Sequence, residues 1–245
     1  LLTIGCDVQD DRLSLSVWGW GREEEGWLID RVKIYGDPSR PDVWKQLDEI
    51  LQAPYEGDGD RRLTPMVTAI DSGGHHTMEV YQYARERQNM GVIAIKGMAQ
   101  KNKPPIGKAS KVDLNAKGKT LKKGAQVGSD TVKSLLFGRL KHNDHGAGYL
   151  HFYPTVGADY FQELTAEKQI MRFRNGFPER VWVKKSSARN EALDELVYAY
   201  AALNRVYQIK DRRTLWDQME RPPEERKAAR RAAPARGGRS FIKQW

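Results

Sequence analysis

Apolar and polar residues alternate along three consecutive segments at the start of the chain. In the second segment Leu13, Leu15 and Val17 share one face, with serines between them. A period of two residues is typical of strands with one buried face. Because short turns join this segment to similar ones at 2–8 and 27–35, the pattern predicts an antiparallel three-stranded meander.

Helical spacing and unbroken apolar runs replace this alternation further along. Apolar residues recur every three or four positions after Pro41, which predicts a helix. The segments 66–71 and 91–96 are short apolar runs typical of strands buried on both faces, and a helix is predicted over 77–88 between them. The order β-β-β-α-β-α-β predicts an α/β fold, in which a mixed sheet begins with the meander, continues with parallel strands and is flanked by helices.

The second half of the chain is less regular but carries several local signals. They predict a helix capped by Ser129, a strand at 149–152, a helix at 159–164, a hairpin of strands at 168–174 and 180–184, and a long helix at 188–209. From about residue 211 the composition turns to Pro, Arg and Ala. We therefore expect a folded domain over 1–210 and a basic, largely flexible tail over 211–245.

Three aspartates stand where this fold would bring them together. Asp7 ends the first strand and Asp71 ends the strand at 66–71, and these strands should be neighbours in the middle of the sheet. Asp194 lies in the first turns of the long helix and would point towards the other two if that helix packs on the sheet. In the alternative interpretation, Asp71 only caps the turn that follows it and Asp194 faces solvent.

A cluster of three carboxylates requires cations, because like charges at short range repel each other. Hard oxygen ligands select Mg²⁺ or Mn²⁺, and two such ions can activate a water and stabilise the leaving oxygen of a phosphodiester. The cluster therefore predicts metal-dependent phosphodiester hydrolysis, with Asp7, Asp71 and Asp194 as catalytic metal ligands.

Other polar residues near these aspartates are weaker candidates. Glu191 shares a helix face with the last of them and is the reserve metal ligand. Asp10 and Asp11 follow the first strand, where shaping the turn is the simpler role. His75 and His76 could contact a phosphate or orient a water, although helix capping or surface exposure is equally compatible with their position.

An uneven positive charge points to a polyanionic partner. The formal net charge is +9, and nine lysines stand between residues 96 and 123 against one acid. Basic segments bind nucleic acids because neutralised phosphates release their counterions. We expect DNA-backbone contacts from this lysine-rich segment, the alternative being a merely solvated loop; the candidates are Lys101, Lys103, Lys108, Lys111, Lys122 and Lys123.

Several other function classes lack their sequence signatures. Cys6 is the sole cysteine, which excludes an internal disulfide and a Cys-rich zinc module. Neither a P-loop nor a G-x-S-x-G elbow is present, so ATP hydrolysis by a P-loop and serine hydrolysis of that type are not expected. No run approaches the roughly 20 apolar residues of a membrane span. A start without Met or a basic leader leads us to expect an intracellular fragment of a longer protein.

Several blocks of sequence resemble those of a known family. They are GCDVQDDRL at 5–13 with GWG at 19–21, IDSGGHHT at 70–77, LLFGRL at 135–140, LTAEK at 164–168 and RNEALD at 189–194. In this order they resemble the nuclease domain of the large subunit of lambda-type phage terminases, over nearly the whole chain to about residue 207.

This resemblance implies an RNase H-like mixed sheet and an endonuclease that cuts concatemeric viral DNA into genome units. The family's acids map onto Asp7, Asp71 and Asp194. The implied partners are double-stranded DNA, an ATPase domain in the same full-length chain, a small terminase subunit and a portal or procapsid, in the host cytoplasm. Two other hypotheses stay open: an inactive domain of this fold that only binds DNA or docks a portal, and an integrase or resolvase that exchanges strands.

Overall fold

A computed structural model describes residues 1–57, 61–108, 110–113, 120–221 and 225 of the chain. Its strands are β1 (Leu2–Val8), β2 (Arg12–Trp20), β3 (Gly26–Tyr35), β4 (Tyr55–Gly57), β5 (Arg61–Leu63), β6 (Pro65–Asp71), β7 (Val92–Met98), β8 (Ser110–Asp113), β9 (Thr120–Lys123), β10 (Ala125–Gly128), β11 (Leu150–His151), β12 (Glu167–Arg174) and β13 (Phe177–Lys184). Its helices are α1 (Pro41–Gln52), α2 (Thr77–Glu86), α3 (Ser129–Arg139), α4 (Ala158–Leu164), α5 (Glu191–Ile209) and α6 (Arg212–Glu220), with a 3₁₀ turn at Gln88–Met90.

Seven strands form one mixed sheet in the order β10-β7-β6-β1-β2-β3-β11. The strands β1, β2 and β3 pair antiparallel, whereas β6, β7 and β10 continue the sheet in parallel from β1. The central strand is therefore β1, with β6 beside it. The predicted RNase H-like mixed sheet, a meander continued by parallel strands, is confirmed.

Some local predictions are wrong in detail. The sequence Gly19-Trp20-Gly21 predicts a break after Val17 and Trp18, but β2 continues through Gly19, which pairs with Leu2. Ser129 is the first residue of α3 and its side chain makes no capping hydrogen bond. The strand β10 and the pair β8–β9 were not predicted, because all three strands are four residues long and too short to show a period.

Helices cover both faces of the sheet. Along the central strand β1, successive side chains point to opposite faces, so each face meets different helices. Ile4 and Cys6 of β1 belong to the apolar cluster shared with α1 and α2. Between them, Gly5 faces α5 so closely that an added Cβ would lie 1.9 Å from the backbone oxygen of Glu195. The helix α5 is buried along most of its length, because Leu, Val and Ala side chains meet the sheet and α3 and α4.

The helix α6 extends the folded domain beyond the predicted boundary at residue 210. Its Leu215 and Trp216 are 5% and 3% exposed and join the core on the α5 side of the sheet. Arg22 also ties α6 to the turn after β2, with ion pairs of 2.7 Å to Asp217 and 2.6 Å to Glu220. The domain therefore reaches Glu220, and most of the expected tail lies outside the described residues. None of the helices in the described part is long and apolar enough to cross a membrane.

Candidate acidic active site

Asp7 and Asp71 lie side by side at the carboxyl ends of two neighbouring parallel strands. The register of β1 and β6 pairs Cys6 with Ile70, and each aspartate is the next residue on its strand. Because side chains alternate along β1, Asp7 falls on the same face as Gly5, which is the face covered by α5. This is the edge of the sheet at which the sequence predicts them.

Donors from the protein hold both of these carboxylates. Gln9 Nε2 donates to Asp7 Oδ2 at 2.5 Å, and the backbone N–H of Gly73 donates to Asp71 Oδ1 at 3.1 Å. The buried hydroxyl of Tyr198 on α5 also donates to Asp71. Asp71 thus stabilises the turn after its strand, as the alternative interpretation supposes, and contacts α5 as well.

Asp194 reaches the same site from the first turn of α5. Asn190 Nδ2 donates to its Oδ2 at 2.8 Å, and Lys133 Nζ lies 3.2 Å from its Oδ1. The side chain of Asp194 is only 21% exposed. The helix α5 packs on the sheet, which is the condition under which the sequence directs Asp194 towards the other two aspartates, and Asp194 does not face open solvent.

Electrostatic interactions connect the three carboxylates to each other. The pKa of Asp7 is raised to about 8. Burial is the largest cause, the charges of Asp194 and Asp71 add to it, and the hydrogen bond from Gln9 opposes it. Burial and the charge of Asp194 also raise the pKa of Asp71. Burial raises the pKa of Asp194 in spite of the opposing charge of Lys133. Carboxylates from three distant parts of the chain thus share one partly buried site.

The three carboxylates are close in space but are not arranged as ligands of one ion. Among the described residues, no three or more His, Cys, Asp or Glu side chains form a group that could hold a metal ion. Charges act on each other over many ångströms, whereas oxygens that share a Mg²⁺ ion lie about 2 Å from it. Here these oxygens accept hydrogen bonds from the protein. As carboxylate oxygens they are nevertheless the kind of ligand that a hard divalent cation prefers.

A polar network that local sequence patterns do not reveal holds Asp194 in place. Lys133 Nζ lies 2.7 Å from Glu167 Oε1, and Asn190 Nδ2 donates to the same oxygen at 2.8 Å. Lys133 and Asn190 therefore both bridge Glu167 at the start of β12 to Asp194. Only folding joins α3, β12 and α5, so the one available signal was that Glu167 and Asn190 fall within the LTAEK and RNEALD blocks.

Glu191 belongs to buried ion pairs that fix α5 to the sheet, and not to the three aspartates. Its carboxylate accepts hydrogen bonds from Arg12 at 2.5 and 3.3 Å, so a cation already engages both oxygens. One turn later the fully buried Glu195 accepts a hydrogen bond from Arg31 at 3.0 Å, and Arg31 also pairs with the buried Glu163. These contacts do not favour the predicted role of Glu191 as a reserve ligand.

The two histidines and the neighbouring acids form contacts at the surface. His75 Nδ1 lies 2.9 Å from Asp10 Oδ1, and this partner raises the pKa of His75. His76 Nε2 lies 3.9 Å from the same oxygen, and Asp11 pairs with Arg12 at 2.5 Å. Asp10 and Asp11 are largely exposed, so their contacts favour turn-shaping roles over metal binding.

Of the six candidate lysines, three have described side chains. Lys101 and Lys108 are exposed and Lys103 is half-buried. Lys101 Nζ lies 3.4 Å from Glu179 of β13, so part of its charge is already offset. Outside the described part of the chain lie the side chains of Lys111, Lys122 and Lys123.

Comparisons with known proteins agree with the resemblance in the sequence. A family model described as the endonuclease domain of terminase large subunit gpA matches residues 1–215. The terminase large subunit of Escherichia phage lambda is 34% identical over 211 residues, which cover 82% of this chain and 32% of that protein. The terminase large subunit of Enterobacteria phage P21 is 32% identical over 210 residues, with the same two coverages. The chain thus spans about a third of the length of these relatives.

Proposed function

Because the chain belongs to the family of terminase large subunit gpA endonuclease domains, we propose that it is a metal-dependent endonuclease that hydrolyses double-stranded DNA. The observation that carries this proposal is the convergence of Asp7, Asp71 and Asp194 at one edge of the sheet. Crowded acidic groups are unfavourable unless the site serves a charged ligand, and perturbed carboxylates cluster at functional sites.

The three aspartates would hold the divalent cations only after their side chains turn from the described arrangement, in which they are not placed as ligands of one ion. Carboxylate oxygens suit Mg²⁺ or Mn²⁺, and a pair of such ions, when bound, activates a water and offsets charge on the leaving oxygen. Gln9 and Asn190 orient two of these carboxylates through hydrogen bonds. Outer contacts of this kind fix ligand orientation in metal sites.

The family suggests a wider role, which belongs to the full-length protein and not to this chain alone. As part of a terminase large subunit, the domain would cut concatemeric viral DNA into genome units in the host cytoplasm. Its partners would be an ATPase domain in the same full-length protein, a small terminase subunit and a portal or procapsid. The lysine-rich segment would contribute contacts to the DNA backbone.

A plasmid-nicking experiment tests the proposed function. The chain is incubated with supercoiled plasmid in Mg²⁺ or Mn²⁺, alongside the variants Asp7→Asn, Asp71→Asn and Asp194→Asn. We expect cutting by the wild type and a loss in each variant that exceeds the roughly 10–100-fold typical of outer contacts around a metal. The exposed Asp42→Asn on α1 is the matched control and should cut like the wild type. Cutting that survives all three active-site substitutions would contradict the proposal.

A DNA-binding domain without nuclease activity is the second candidate. The ion pair between Lys133 and Asp194 favours it, because a lysine already offsets one carboxylate charge. Thermal unfolding separates the two candidates, since an ion that binds only the folded state raises the melting temperature. A rise with Mn²⁺ that is lost in Asp71→Asn supports the nuclease, whereas no rise together with uncut plasmid supports the second candidate.

A further inference from the structure

The β12–β13 hairpin exposes aromatic rings that no part of the described structure covers. Its two strands pair only with each other and remain outside the seven-stranded sheet. Phe173 and Phe177 flank the Asn175-Gly176 turn and are 75% and 77% exposed. The register pairs Phe173 with Pro178 and Arg174 with Phe177, so the two rings lie on opposite faces of the ribbon at its tip. Large apolar side chains that stay exposed are candidates for contact with a partner.

The exposed charges of this hairpin are all positive. Glu167 is buried against Lys133, and Glu179 is half-buried and paired with Lys101. Within the described part of the chain, four exposed cations of the hairpin form no ion pair, namely Lys168, Arg172, Arg174 and Arg180. Lys184 is a fifth exposed cation. A positive surface with aromatic tips fits a polyanion that also presents flat apolar groups, which is the chemistry of DNA.

The shape of the hairpin fits duplex DNA. The major groove admits a two-stranded β-ribbon. The seven residue steps from Glu167 at the root to Arg174 at the tip span about 23 Å at about 3.3 Å per residue, and the part nearest the root packs against α3. That length equals about seven base-pair steps of 3.4 Å, so cations along the ribbon can meet successive phosphates.

The root of the hairpin is joined to the acidic site. Glu167 and Asp194 share two donors, Lys133 and Asn190, at distances between 2.7 and 3.2 Å. An open groove of about 600 Å³ also lies between the hairpin and α3, and its lining includes Trp182 and Phe137, whose ring centroids are 4.7 Å apart. A smaller groove that reaches Lys133 shares four lining residues with it, namely Lys101, Asp130, Arg180 and Trp182. The hairpin surface thus continues into the site of Asp194.

We propose that the β12–β13 hairpin is a DNA-binding ribbon that holds the duplex beside the acidic site. Arg172, Arg174 and Arg180 contact phosphates, and Phe173 and Phe177 pack against bases or sugars at the tip. The proposal rests on the proposed function, since it assigns the surface that presents DNA to the three aspartates.

Binding measurements without divalent metal test this proposal apart from cutting. Fluorescence anisotropy of a labelled 30-base-pair duplex in EDTA is recorded at several salt concentrations for Arg172→Gln/Arg174→Gln and for Phe173→Ser/Phe177→Ser. Removing two phosphate contacts should lower the slope of log affinity against log salt by about 1.8. Removing the two rings should weaken binding by on the order of tenfold at every salt concentration and leave the slope unchanged.

Matched variants elsewhere on the surface control for charge and apolar area. Arg40→Gln/Lys45→Gln at the start of α1 removes two exposed cations, and Tyr35→Ser removes an exposed ring. Hairpin variants that match these controls in affinity and slope, with unchanged melting temperature, would overturn the proposal. If DNA binding depends on the hairpin but the chain never cuts DNA, the ribbon is supported and the nuclease is contradicted. If the hairpin variants bind and cut DNA normally, the nuclease is supported and the ribbon is contradicted.

Discussion

At the scale of single residues, Asp7 shows how burial and neighbouring charge act together. It is 6% exposed and lies within the influence of two other carboxylates. The sequence predicts the three aspartates because each stands at a recognisable position, a strand end or a first helical turn. It could not predict their hydrogen-bond partners, because Gln9 and Asn190 are unremarkable polar residues until the fold places them.

The raised pKa of Asp7 makes the metal-free protein less stable as the pH rises. The folded state keeps this proton up to about pH 8, whereas an ordinary aspartate with a pKa of 3.8 releases it much earlier. The folded state therefore binds more protons between these values, and stability falls through this window by at most about 1.4 kcal/mol per pH unit. Urea denaturation in EDTA should show a flatter pH dependence for Asp7→Asn.

The exposed Asp42→Asn provides the comparison for this experiment, because it removes a carboxylate without changing a buried one. Its pH dependence should follow that of the wild type. Equal slopes for Asp7→Asn and the wild type between pH 5 and 8 would show that Asp7 is ionised throughout.

Arg31 is the second residue with a large expected effect on stability. It pairs with the fully buried Glu195 and with Glu163. Removing one partner of a buried pair leaves an uncompensated charge, so Arg31→Ala should lower the free energy of unfolding by about 3–5 kcal/mol. Arg22→Ala, which breaks pairs that are 41–52% exposed, should lower it far less in the same urea denaturation, because solvent screens exposed ion pairs. Similar losses for the two variants would contradict this assignment.

At the scale of elements, the contact between β1 and α5 brings Asp194 towards Asp7. Both elements were predicted, because alternation and helical spacing are local patterns that the sequence shows directly. Their close approach was not, since it depends on Gly5 having no side chain where the backbone of Glu195 passes. This contact places Asp194 near the carboxyl end of β1.

A methyl group at Gly5 should therefore damage both stability and activity. Backbone atoms cannot move aside as a flexible side chain can, so Gly5→Ala should cost about 3 kcal/mol or more. Shifting α5 also displaces Asp194, so nicking of plasmid should fall. Gly138→Ala in α3, where an added Cβ meets nothing within 4 Å, should instead stabilise the protein by about 0.5–1 kcal/mol. A neutral Gly5→Ala in urea denaturation would argue against this close packing.

At the scale of the whole molecule, the distribution of charge decides more about DNA binding than the net charge does. The value of +9 comes from the sequence alone and indicates a polyanionic partner. The structure shows that nearby cations differ, because Lys101 pairs with Glu179, whereas Lys108 is exposed and without an ion pair among the described residues.

These two lysines should contribute unequally to DNA binding. Lys108→Gln should lower the salt slope of duplex binding by about 0.9, the value for one phosphate contact. Lys101→Gln should lower it less, because Glu179 already offsets part of its charge. Anisotropy in EDTA, with Lys45→Gln as the surface control, gives both slopes. An unchanged slope for Lys108→Gln would show that this lysine is merely solvated.

By itself the sequence determined the strands β1, β2, β3, β6 and β7 with the helices α1 and α2, the strand ends that carry Asp7 and Asp71, and the basic character of the chain. Those features depend on residues near each other in sequence, where periodicity and composition carry the information. The tertiary structure alone decided that Lys133 and Glu167 meet Asp194, that Glu191 pairs with Arg12, and that α6 joins the core. Such contacts join residues far apart in the chain, and no local pattern encodes which side chains burial will bring together.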